Sequence, residues 1–169
     1  MMQLSAEEED ALFQKLHSQE WPYRLTCPHV PSLDGAKKYS VIVGYHVGMM
    51  NNWRLIVKDQ LHTLHNCGLG EALTHFYITY SNNNTHNTLE ELQSMVGRYP
   101  FTQQATFQFS PRQPVEGTAI NAIHSHCRAK EQTLPEKEIV VFYFHTKGSS
   151  RYVDNWQNKS RSYKEVLHW

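Results

Sequence analysis

The chain has 169 residues and a mass of 19.8 kDa, enough for one domain with a real core and too little for two. Apolar residues make up 40 %, charged residues 19 % and aromatics 12 %, with ten Asn, eleven Gln and eleven His, a balance that argues against disorder over most of the length. Sixteen Lys and Arg offset sixteen Asp and Glu, so the global basic excess of a nucleic-acid binder is absent.

Residues 1–38 read as a leader. It holds a helix over residues 6–19 with Leu12 and Leu16 on one side, then a stretch punctuated by Pro22, Pro28 and Pro31. Its Glu7-Glu8-Glu9-Asp10 run is acidic where a signal peptide is basic and then apolar. Cys27, Cys67 and Cys127 lie far apart and read as three free thiols. Together these features favour a cytoplasmic location. No apolar run approaches the roughly 20 residues of a membrane helix.

From residue 39 to the end, strand and helix patterns alternate. Residues 39–45 (YSVIVGY) predict a first strand and residues 46–52 a loop. Trp53, Ile56, Val57, Leu61 and Leu64 then repeat at helical spacing, with Gly68 as the terminating glycine. Residues 74–80 (THFYITY) predict a second strand. Thr88-Leu89-Glu90-Glu91 has the form of a capping box and opens a helix that ends near Gly97. Residues 105–109 form a short third strand, and residues 118–130 a helix with Ile120, Ile123 and Cys127 on one face. Residues 138–144 (EIVVFYF) form the fourth strand, and a last helix runs from Asp154 to Trp169.

Such alternation with short loops specifies the α/β class, a parallel sheet of about four strands flanked by helices. Strands one and four carry continuous apolar runs, as strands covered on both faces do, whereas two and three alternate apolar with polar. The contrast predicts the order 3-2-1-4. Ligands of open parallel sheets bind where the connection changes sides, here outside the carboxyl ends of strands one and four.

That crevice selects His46 in the first loop and His145-Thr146-Lys147-Gly148 after the fourth strand. The Lys147 ammonium suits a diphosphate, Gly148 permits close backbone approach, and the Thr146 hydroxyl can donate a hydrogen bond. A Lys-Gly turn after a strand is also common, so pattern alone leaves both meanings open. Tyr80 and Ser81, at the end of strand two, add a candidate nucleoside platform. Histidines 124 and 126 point about 200° apart on a helix and cannot chelate one ion, and His62 with His65 lacks a third ligand, so no metal site is assigned. Motifs of hydrolase triads, P-loops and Rossmann dehydrogenases are absent.

The run YHVGMMNNWRLIVKDQLHTLHNCGLGEAL at 45–73, VVFYFHTKGSS at 140–150, and Trp156 with Arg161 resemble the glycosyltransferase-like proteins of capsule and cell-surface polysaccharide loci. In those proteins a strand ends in Tyr-x-His-Thr-Lys-Gly. The resemblance covers about residues 39–165, so residues 39–169 read as one glycosyltransferase-like domain of GT-A type. It implies transfer of a sugar from a nucleoside-diphosphate donor to a glycan acceptor, with His46, Tyr80, Ser81, His145, Thr146, Lys147 and Gly148 toward the donor.

It also implies Mn²⁺ or Mg²⁺ with the donor, yet no Asp-x-Asp motif is present to hold one. Either Lys147 and its neighbours carry the diphosphate charge or the metal ligand lies elsewhere. The expected acceptor-binding half, with its base, is not found before Trp169. No catalytic residue is therefore assigned, and this fragment stands as a candidate for an inactive half. The alternative is a non-catalytic nucleotide-sugar or glycan-binding domain. Neither alternative involves nucleic acid or a membrane segment of this chain.

Overall fold

A computed structural model describes residues 39–50, 52–82, 86–103, 105–111, 115–133 and 138–146, together with Ser5, Glu7, Glu8, Asp10, Ala11, Phe13 and Gln14. Four strands, β1 (Tyr39–Met49), β2 (Leu73–Asn82), β3 (Ala105–Phe109) and β4 (Glu138–His145), form one sheet in the order β3-β2-β1-β4. Every neighbouring pair is parallel. The helices are α1 (Trp53–Asn66), the single turn α2 (Leu69–Ala72), α3 (Leu89–Val96) and α4 (Val115–Thr133), with a 3-10 turn at Pro100–Thr102. The α/β class and the 3-2-1-4 order expected from the sequence are both present.

Period-2 alternation gives the sheet two unlike faces. On one, Val43, Tyr45, Val47 and Met49 of β1 and Phe76 and Ile78 of β2 are buried with Trp53, Val57 and Leu61 of α1 and Leu92, Met95 and Val96 of α3. Tyr45 stacks on Phe144 of β4, ring centroids 4.3 Å apart. The other face lies under α4. There Gly44 passes so close that an added Cβ would collide with the Ile123 side chain. Around it stand His75, Tyr77 and Thr79 of β2, each a register partner or same-face neighbour of β1's even-numbered residues.

Local signals hold at several termini. Gly68 has φ of +70° and ends α1, its N–H donating to the His65 carbonyl at 3.1 Å. Thr88 caps α3, its hydroxyl accepting from the Glu91 N–H at 3.2 Å. The reciprocal half of the capping box is not made, because the Glu91 carboxylate pairs with Arg54. Asn52 precedes α1 without a side-chain cap bond.

Four expectations need correction. Residues 46–49 are not loop but the end of β1, because they pair in register with Thr79, Tyr80, Ser81 and Asn82 of the equally extended β2. Strand β4 is not covered on both faces: Val141 and Phe142 are 42 % and 41 % exposed, for β4 is the outer strand among the described residues. On α4, Ile120 is 51 % exposed and the buried positions are Ala119 and Ile123, one full turn apart. Cys67 is disulfide-bonded, so the chain does not carry three free thiols. Cysteine spacing alone does not reveal a disulfide, and the thiol argument for a reducing compartment lapses.

Glu7, Glu8, Asp10, Ala11, Phe13 and Gln14 are helical and Asp10 pairs with Lys58, which brings the leader helix against α1. Leu12, Leu16, the proline stretch and the helix from Asp154 to Trp169 lie outside the described residues. None of the described helices is long and apolar enough to cross a membrane.

Candidate functional site

The carboxyl edge of β1 and β4 is built by register. His46 aligns with His145 on one side and with Thr79 on the other, so both histidines stand at the same end of the sheet. His46 is 5 % exposed. Its Nδ1 lies 2.9 Å from Thr79 Oγ1 and its Nε2 3.4 Å from Ser81 Oγ. A hydroxyl both donates and accepts, so these two serve either tautomer of the ring.

Thr146, also 5 % exposed, staples β4 to β1 just past the last ladder pair. Its N–H donates to the His46 carbonyl at 3.0 Å, and its Oγ1 accepts from the Gly48 N–H at 2.8 Å. His145 is half-buried. Its ring stacks on Tyr143, and its carbonyl accepts from Gln60 Nε2 at 3.1 Å. Gln60 of α1 in turn accepts from the Tyr45 hydroxyl at 2.8 Å, tying the helix to the edge.

Ser81 joins His46 and His145 on the α4 side, but Tyr80 does not. Alternation turns Tyr80 to the opposite face, where it packs against Phe109 at 5.4 Å. Lys147 and Gly148 follow directly on Thr146 and lie outside the described residues.

A second polar knot at the ends of β1 and β2 carries no sequence motif. Asn87, 3 % exposed, donates to the Met49 carbonyl at 2.8 Å and accepts from Arg54 Nη2 at 3.2 Å. Arg54 also holds Glu91 through both Nε and Nη2. The Asn82 side chain donates to the Asn87 carbonyl. The only advance signal was Glu91 at the fourth position of the capping box.

Further down the α4 face, His75 and His126 stand with ring centroids 4.1 Å apart, and Tyr77 Oη lies 2.6 Å from His126 Nδ1. Burial holds both imidazoles below the usual histidine range, and the nearby Lys130 charge acts in the same direction; for His126 the His75 ring contributes too. The Tyr77 phenol is pushed up by burial and by Cys127. His75 Nδ1 and His126 Nε2 are buried without a hydrogen-bond partner. His62 bonds Asn66, and His65 rests against Tyr99 and Phe101. Among the described residues no three His, Cys, Asp or Glu side chains come together as metal ligands.

No family model matches the chain, and neither a curated protein nor a solved structure does.

Proposed function

We propose that the chain is the donor-binding half of a glycosyltransferase-like protein, taking a nucleoside-diphosphate sugar across the carboxyl ends of β1 and β4. The observation that carries this reading is the alignment of His46 with His145 at the switch point of an all-parallel 3-2-1-4 sheet, where open α/β sheets bind ligands. The His145-Thr146-Lys147-Gly148 run that resembles the family's motif begins at that point. Thr146 fixes where the chain leaves the sheet through its staple to Gly48. The Lys147 ammonium would offset the diphosphate charge and favour departure of the nucleoside diphosphate during transfer to a glycan hydroxyl.

The test is calorimetric titration of the full chain with nucleoside diphosphates and the matching nucleosides, with and without Mn²⁺. Lys147→Ala weakens diphosphate binding by roughly one to two decades and leaves nucleoside binding unchanged, the expected loss of one charge-assisted contact. Lys147→Arg recovers only part, since a planar fork replaces a compact charge. Diphosphate affinity unchanged in Lys147→Ala refutes the site.

A second reading, binding without catalysis, is favoured by one observation. The His46 ring and the Thr146 hydroxyl at the edge are committed to hydrogen bonds within the sheet. Release of nucleoside diphosphate from a sugar donor by the chain would decide for the enzyme.

A further inference from the structure

The face under α4 opens into a cavity of about 320 Å³ between that helix and the strands β2 and β3. Tyr77 and Thr79 line it from β2, Thr106 and Gln108 from β3, and Ser125 and His126 from α4. Thr106 and Gln108 face the same way because they are two apart and pair with Tyr77 and Thr79. Thr106, Gln108 and Ser125 are exposed, so their polar groups are offered to a ligand. We propose that this groove is a binding site for a neutral sugar ring, separate from the carboxyl edge.

The lining decides the chemistry. Among the described residues it contains three aliphatic hydroxyls, one carboxamide, one phenol and one imidazole beside Ile78 and Ala122, and no Lys, Arg, Asp or Glu. Hydroxyls and an amide donate and accept at once, as the hydroxyls of a sugar do. Lys130 acts on His126 from nearby but does not line the groove, so a charged ligand would leave water for a lining that holds no charged side chain to pair with it, which is costly. Burial first, then the His75 ring and the Lys130 charge, holds the His126 imidazole below the usual histidine range and so disfavours its charged form. The volume is at the small end of the roughly 300–1,000 Å³ of ligand pockets, suited to one ring and not to a nucleotide.

Thr79 couples the groove to the edge. The residue lines the cavity, is 1 % exposed, and holds Nδ1 of His46 at 2.9 Å. A ligand here is therefore one hydrogen bond from the residue that marks the switch point, although it needs no nucleotide to bind.

The experiment is a backbone-amide NMR titration of the full chain with methyl β-glucoside and methyl β-galactoside up to about 50 mM, the range in which a single small ring binds. Glucuronate and glucosamine serve as charged controls. The expected result is saturating shifts at Thr106, Gln108 and Ser125 with at least one neutral glycoside and at least about tenfold weaker binding of both charged sugars. Ser125→Trp fills the groove from an exposed helix position and lowers neutral-glycoside affinity at least about tenfold. Thr106→Val, which removes a hydroxyl without filling space, weakens it as well. Nucleoside-diphosphate binding, measured in parallel, is unchanged in both variants, so failure at the edge and failure in the groove are read separately. Absence of shifts with both glycosides, equal binding of charged sugars, or glycoside affinity indifferent to Ser125→Trp and Thr106→Val overturns the proposal.

Discussion

Thr146→Val isolates the staple at the edge. Valine keeps the branched shape and removes one atom that matters, the Oγ1 that accepts from the Gly48 N–H at 2.8 Å. Thr146 is 5 % exposed, and Gly48 lies within the buried run of β1, so water does not replace the lost acceptor. A buried donor left unpaired costs about 1–3 kcal/mol. The bond from the Thr146 N–H to the His46 carbonyl is backbone and survives the exchange. In urea, where the slope is about 2 kcal/mol per M, the midpoint falls by about 0.5–1.5 M. Thr146→Ser retains the hydroxyl and loses a methyl group worth about 0.8 kcal/mol, so it is the milder variant. Equilibrium unfolding of the three proteins settles the matter. A valine variant within about 0.5 kcal/mol of wild type, or a serine variant that is the less stable of the two, refutes the staple.

Gly44→Ala drives a methyl group into Ile123 and lowers stability by about 1–3 kcal/mol. Ile123→Val, by shortening the opposing side chain, makes the double variant less unstable than the sum of the two singles; strict additivity in urea unfolding would refute the contact. Acidification destabilises the protein through His75 and His126, whose folded-state values are lowered. Their contribution is whole above the unfolded histidine value of about 6.5 and is lost as pH falls toward the folded values, because the unfolded chain binds the protons first. His126→Gln flattens the fall in urea midpoint between pH 7 and 5, and an unchanged slope would refute the assignment.

Sheet order and the shared edge of His46 and His145 agree with the reading from strand-helix alternation and parallel topology, although the apolar run of β4, expected to be covered on both faces, is exposed at Val141 and Phe142. What escaped depends on contacts between distant residues. Gly48 falls in the segment expected to be loop, yet it pairs with Ser81 and donates to Thr146, 98 positions along the chain. Glu91 satisfied the capping-box spacing, but Arg54, 37 positions earlier, claims its carboxylate. Tyr80 and Ser81 were grouped as neighbours, and the pleat sends them to opposite faces. His126 was weighed against His124 on its own helix, whereas its partners are Tyr77 and His75 on β2. Lys147 and Gly148 lie outside the described residues, so their part in the edge rests on sequence.

The two faces of the sheet divide the residues that carry stability from the polar residues under α4. The α1 face holds Val43, Tyr45, Val47, Phe76 and Ile78 in a closed apolar core with Trp53 and Leu92, where burial contributes most of the folding free energy. The α4 face carries His46, His75, Tyr77, Thr79 and Ser81 along the same two strands, at positions where apolar residues would pack more favourably. Polar groups under a helix must find partners, and His75 Nδ1 and His126 Nε2 have no hydrogen-bond partner. A fold maximising stability alone would replace that pair, since two apolar residues of like shape satisfy each other without hydrogen bonds. Keeping hydroxyls and imidazoles there costs stability on one face while the other holds the strands in register. That division puts the chemistry-bearing side chains on a surface supported from behind, the arrangement a binding site needs to keep its geometry.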